Sequence, residues 1–172
     1  NGGAELDYRV YVSGDEAAGT RTAAYYLAVN RNKRSIRLDL KREEGHEVLR
    51  RLLVISDVLV ENFRTGGLER LGFGDGALNA LNPDLVHLAI SGFGPDGPDA
   101  QKPGYDFVVQ AVGGLMSITG ETGAQGGRPT KVGVAITDVV TGLFGAVSIL
   151  AGLVGRGRTT AREGARGQRI DV

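Results

Sequence analysis

Hydrophobic and polar residues alternate along Ser35-Ile-Arg-Leu-Asp-Leu40, which predicts a strand. The period then changes: over Glu43 to Ile55 the apolar positions Val48, Leu49, Leu52 and Leu53 share one face of a helix. The same change recurs further on. Val58-Leu-Val60 predicts a short strand after Asp57, Ala77 to Leu81 predicts a helix stopped at Asn82-Pro83, and Leu85 to Ile90 predicts a third strand. Strand, helix, strand, helix, strand implies parallel pairing through right-handed crossovers, an α/β class.

Gly92 to Gly104 holds four glycines and three prolines and continues neither kind of element, so it predicts a long loop over the carboxyl edge of the sheet, where ligands tend to bind. Phe107 to Ile118 predicts a helix with Val108, Ala111, Val112 and Leu115 inward, and Gly120 to Pro129 a second glycine-rich loop. The apolar run Val132 to Thr137 reads as a strand that ends at Asp138, where a helix over Val139 to Val154 opens. Arg156 to Gln168 reads as a basic connector and Arg169 to Val172 as a strand cut off at its start. Residues 1–29 show little periodicity and form a loop-rich lead-in, which leaves residues 30–172 as one incomplete domain.

Composition narrows the function classes. Twenty basic residues balance twenty acidic ones, so no overall field draws the chain to nucleic acid or an anionic membrane. The absence of cysteine removes thiol catalysis, disulfides and cysteine-ligated metals, and fits a reducing cytoplasm. The stretch Val139 to Val154 is short and interrupted by glycines for a membrane span, and the first residues do not resemble a signal peptide.

Gly92-Phe-Gly94-Pro-Asp-Gly97 has the spacing of a dinucleotide fingerprint, but Pro95, Pro98 and Pro103 punctuate the stretch and no helical pattern starts before Tyr105 to hold a pyrophosphate. There is no P-loop. His46 falls on a polar helix stretch and His87 in a strand, neither with metal-ligand spacing, and nothing places either beside Ser91 or Ser117 for a triad. Two basic groups remain: Arg31-Asn-Lys33-Arg34, and Arg64 with Arg70 after the second strand. Clusters of this kind are commonly solvated edges, yet lysine and arginine also suit phosphate oxygens, and both groups are expected at one edge of the sheet. Phe63 is suited to the core or to stacking on a flat ring. Asp138, at a strand-to-helix junction, is suited to capping by residue statistics, while orphan N–H groups and the helix dipole there would hold a carboxylate ionised and able to attack.

Taken together, Asn30-Arg-Asn-Lys-Arg-Ser35, Val60-Glu-Asn-Phe-Arg-Thr-Gly66, Leu68-Glu-Arg-Leu-Gly72, Asn82-Pro83, Ile90-Ser-Gly-Phe-Gly94, Gly97-Pro98, Gly104-Tyr-Asp106 and Thr137-Asp138 resemble the family III CoA-transferases, in family order. That family includes formyl-CoA transferase, carnitine CoA-transferase and alpha-methylacyl-CoA racemase. The resemblance implies a Rossmann-like parallel sheet with helices on both faces, part of the large domain of a chain about twice as long. In the family, two subunits interlock as a homodimer. It implies Asp138 as the catalytic residue, and Arg31, Lys33, Asn62, Phe63, Arg64 and Arg70 as contacts to the CoA nucleotide and phosphates. Tyr105 would lie beside the thioester, where the racemases carry a histidine.

The activity implied is transfer of CoA from an acyl-CoA to a carboxylic acid through aspartyl anhydride and aspartyl-CoA thioester intermediates. No metal or permanently bound cofactor is expected; coenzyme A and acyl-CoA are substrates. Ser91-Gly-Phe-Gly94 and Gly113 to Gly120 resemble the dicarboxylate-using branches, where succinyl-CoA is a common donor. An acyl-CoA racemase or epimerase, and an inactive CoA-binding fragment, stand as alternatives at this level.

Overall fold

The structure is a computed structural model that describes residues 11–12, 22–158 and 167–172. Residues 1–38 and 39–172 form separate compact units. In the first, β1 (Tyr11–Val12) pairs antiparallel with β2 (Thr22–Ala23), which leads directly into α1 (Ala24–Val29). This six-residue helix falls in the stretch read from sequence as loop, being too short to develop a period.

The strand expected over Ser35 to Leu40 does not form. Its alternation is genuine, but among the described residues no neighbouring strand takes up its N–H and C=O groups, and Ile36 is exposed.

In the second unit, α2 (Glu43–Ile55) occupies the predicted span, with Glu43 and Glu44 in its first turn where the helix dipole favours them. There follow β3 (Val58–Glu61), α3 (Gly67–Arg70), α4 (Asp75–Leu81), β4 (Val86–Ala89), α5 (Asp106–Val112), α6 (Ile136–Arg158) and β5 (Gln168–Asp171). The strands form one parallel sheet in the order β3-β4-β5, with Val58 opposite Val86 and Leu88 opposite Ile170. All four residues of the central strand β4 are buried, as expected where helices cover both faces.

Side-chain alternation separates those faces. Val86, Leu88 and Ile170 meet α6, whose Gly145 and Gly152 bring the helix so close that an added Cβ would lie 2.9 Å from Leu88 Cδ2 and 3.1 Å from Val86 Cγ1. On the other face Leu59 joins Leu53 of α2, Phe73 and Leu78 of α4 in the principal core. Arg156 then anchors the far end of α6, donating to the Asp84 carbonyl at 2.8 Å and pairing with Asp57 at 2.7 Å.

Three expectations change in the last third of the chain. The helix predicted to run to Ile118 ends at Val112, because Gly114 turns the backbone left-handed (φ 80°); a separate 3-10 turn covers Leu115–Ile118. Its buried face is also different: Ala111 and Val112 are exposed, while Gln110 is 1% exposed. No strand forms over Val132 to Thr137; α6 begins at Ile136, so Asp138 lies inside its first turn instead of at a strand-to-helix junction. Finally, α6 is longer than its apolar pattern suggested, and by length and composition it could cross a membrane. Its glycine contacts with the sheet and the Arg156 ion pair make it a layer of this domain.

Candidate active site

The starts of α5 and α6 meet at one corner, and a single carboxylate joins them. Asp106, the first residue of α5, accepts the Thr137 N–H at 2.8 Å and the Thr137 hydroxyl at 2.5 Å on Oδ1. Its Oδ2 accepts Gln110 Nε2 at 2.6 Å. The Asp138 N–H also points to it. An α-helix leaves its first N–H groups without partners; here they are received by a carboxylate from another helix. Partial burial pushes the Asp106 carboxyl up, but the hydrogen bonds from Thr137, Gln110 and the Asp138 N–H outweigh it and hold the group below its ordinary value.

Asp138 has the opposite environment. Its side chain is exposed and accepts no hydrogen bond among the described residues. Desolvation, and then the neighbouring Asp106 charge, push its carboxyl above the ordinary value, working against the dipole of α6. Of the two carboxylates, Asp106 is saturated with donors and Asp138 is bare. Tyr105, directly before Asp106, is exposed and stacks on Phe107 with ring centroids 6.2 Å apart and planes 8° from parallel. Through the Asp106–Thr137 contact, Tyr105 and Asp138 come to the same corner.

The other expected site residues lie elsewhere. Asn62, Phe63, Arg64 and Arg70 follow β3 closely, as predicted, at the carboxyl edge of the sheet. The Phe63 N–H is donated to Glu61 Oε2 at 2.6 Å, and Arg70 reaches back to the Thr65 carbonyl at 3.3 Å across the Gly66-Gly67 turn. Phe63 and Arg70 line a cleft of about 600 Å³ at the strand ends, together with Ile90, Ser91 and Gln101; Asn62, Arg64, Tyr105 and Asp138 do not line it. Lys33 and Arg31 are exposed in the other unit, where Lys33 Nζ donates to the Val29 carbonyl at 2.8 Å at the end of α1.

One group in the cleft, His87, was placed by the sequence in a strand and at no site. His87 is 5% exposed, and neither ring nitrogen has a hydrogen-bond partner among the described residues. Glu61 and Asp75 carboxylate oxygens lie 3.7 Å from its two nitrogens, beyond hydrogen-bond reach. Arg169, from β5, pairs with Asp75 at 3.0 Å and Asp171 at 2.9 Å. Burial, and then the Arg169 charge, push the imidazole below its ordinary value in spite of the three carboxylates. Ser91 also lines this cleft, but its hydroxyl accepts the Gly94 N–H and does not meet the imidazole, so no triad is assembled. The parity of β4 was the available signal: His87 and Ala89 face away from α6. The glycine-rich loop at 92–97 leads to no helix before Asp106, so the dinucleotide reading fails as expected.

The model of CoA-transferase family III matches residues 7–172. The chain belongs to that family. It is 45% identical over 151 residues to a succinate–glutarate CoA-transferase of Agrobacterium fabrum, covering 88% of this chain and 36% of the relative. To the human succinyl-CoA:glutarate CoA-transferase it is 40% identical over 157 residues, 91% of this chain and 34% of that one. Among solved structures, a CAIB/BAIF family protein from Brucella suis superposes with a TM-score of 0.81 at 43% identity, over 93% of this chain and 39% of that one. This family III chain therefore spans between a third and two-fifths of the length of these relatives.

Proposed function

We propose that the protein moves CoA from an acyl-CoA thioester to a carboxylic acid, with Asp138 as the nucleophile. The observation that carries this is the α5–α6 corner: a bare, exposed carboxylate in the first turn of a helix whose N–H groups are already taken up by Asp106, with Tyr105 beside it. An oxygen of Asp138 attacks the thioester carbonyl carbon; the C–S bond breaks and CoA leaves as thiolate, giving a mixed anhydride. The thiolate attacks the Asp138 carbonyl of that anhydride, releasing the donor acid as carboxylate and leaving an aspartyl-CoA thioester. The acceptor carboxylate then repeats both steps in reverse, so Asp138 ends as the free carboxylate. Each intermediate is an anhydride or a thioester, close in energy to its neighbours, and the chemistry asks for no redox or metal centre.

Phe63 and Arg70, with Asn62 and Arg64 beside them, are proposed to hold the nucleotide and phosphates of CoA, and Arg31 and Lys33 to add charge to the phosphates. Relatives named for succinyl-CoA and glutarate support a dicarboxylic acid pair. The longer form is proposed to be a cytoplasmic homodimer. Tyr105 lacks the basic nitrogen that a two-base racemisation requires, which favours transfer over that alternative.

Asp138→Ala in the full-length protein is expected to abolish transfer from succinyl-CoA to glutarate while CoA affinity stays within about threefold, because the residue lies outside the nucleotide cleft. With wild-type protein and no acceptor, peptide mass spectrometry should find CoA on the Asp138 peptide. Transfer by the Ala variant at a comparable rate removes Asp138 from the role. Loss of α-deuterium from a chiral acyl-CoA without an acceptor would move the reaction to racemisation.

A further inference from the structure

Gln110 is the most deeply buried polar side chain at the α5–α6 corner, and nothing in the transfer chemistry uses it. Both ends of its amide are engaged. Nε2 donates to Asp106 Oδ2 at 2.6 Å, and Oε1 accepts the Val132 N–H at 2.8 Å, a residue on the loop that leads into α6. The orientation of the amide is unambiguous in physical terms: reversed, its oxygen would face a carboxylate and its NH₂ would face an N–H. Asp106 in turn receives the N–H groups of Thr137 and Asp138. A continuous chain of hydrogen bonds thus runs from the loop at Val132, through Gln110 and Asp106, to the backbone that carries the Asp138 side chain.

We propose that Gln110 is a positioning residue for the Asp138 carboxylate: it fixes Asp106 against the first turn of α6 and holds the loop leading to that turn at Val132. The assignment rests on Asp138 being the nucleophile. Two of its properties suit the task. A neutral amide donates to Asp106 without cancelling its charge, so Asp106 remains an acceptor for the helix N–H groups. Burial leaves the amide no water to exchange with, so both bonds persist, and breaking either strands a buried polar group.

The test uses the full-length protein with Gln110→Met, which keeps length and removes both bonds, and Gln110→Glu, which keeps the acceptor for Val132. In Gln110→Met, kcat is expected to fall by about 10- to 100-fold with the KM for acyl-CoA changed less than about threefold, the signature of a nucleophile displaced by a fraction of an ångström. In Gln110→Glu the ionised side chain repels Asp106, whereas the protonated one donates to it as the amide does. Its kcat relative to wild type should therefore climb as pH is lowered, and that of Gln110→Met should not. Carbon-13 NMR of the Asp138 carboxyl and the amide signals of Val132 and Thr137 give a second readout that needs no turnover; all three should move in Gln110→Met. If these signals stay at their wild-type positions, or if the two variants share one relative pH profile, the positioning role is overturned. If wild-type protein transfers no CoA yet the signals move, the transfer reading fails and the hydrogen-bonded clamp stands.

Discussion

At the α5–α6 corner and in the cleft, three residues respond to pH in different senses. Asp106 is held below its ordinary value, so the stability it contributes is complete above the unfolded-state value and is lost as pH falls through the folded one. Asp138 is pushed the other way, so the fold binds its proton more readily than the unfolded chain does, and stability falls as pH rises through that window. His87, depressed below 6.5, takes up a proton in the unfolded chain first; stability is complete above that pH and declines below it. A single such histidine gives a slope of at most about 1.4 kcal/mol per pH unit. Urea unfolding of His87→Leu between pH 5 and 6.5 is expected to show a flatter dependence than wild type, since the group that gains the proton is gone. An unchanged slope would assign the pH dependence to other groups. Asp138, Phe63 and Arg70 stood out as candidates in sequence because they sit in motifs. Gln110 did not, because it occupies a helix face that periodicity reserves for apolar side chains, and its partners lie on the loop before α6 and at the start of α5.

At the scale of elements, the lengths of α2, β3 and β4 follow from period and from stop signals such as Asn82-Pro83, and the structure keeps them within a residue or two. Local pattern gave less where pairing decides the outcome. Ser35 to Leu40 alternates like a strand but finds no ladder, and Val132 to Thr137 is apolar like a strand but donates its first N–H to Gln110. The loop at 92–104 shows how closely backbone can meet backbone when no side chain intervenes. A Cβ on Gly104 would lie 2.1 Å from the Gly92 Cα, and one on Gly92 would lie 2.2 Å from the Gly104 Cα. Gly104→Ala is expected to cost about 1–3 kcal/mol by overpacking, read as a lower urea midpoint at unchanged m-value, and to lower transfer because Tyr105 follows directly. No change in midpoint would mean that the two strands of the loop separate freely.

At the scale of the whole molecule, one side of α6 is packed on the sheet and the other carries a row of apolar residues in water. Leu143, Val147 and Leu150 are 64%, 63% and 62% exposed, with Phe144 and Val154 alongside. Such a face invites association. The 172-residue chain is expected to sediment as concentration-dependent oligomers, and replacing Leu143, Val147 and Leu150 with Gln should shift it toward monomer and reduce binding of an apolar dye. Identical sedimentation of the two would show that this face takes no part. Charge balance and the absence of cysteine limited the function classes but said nothing of this face, because a helix buried on one side and open on the other has the same composition as one buried all round.

The closed neck at Gly92 and Gly104 carries a last consequence. Since the chain leaves the sheet and comes back to α5 through the same point, residues 93–103 form an exchangeable cassette whose length is decoupled from its mounting. Doubling a flexible loop costs only about 0.6 kcal/mol in closure entropy. New specificity could thus be introduced there by grafting, with Tyr105, Asp106 and the first turn of α6 left as they are.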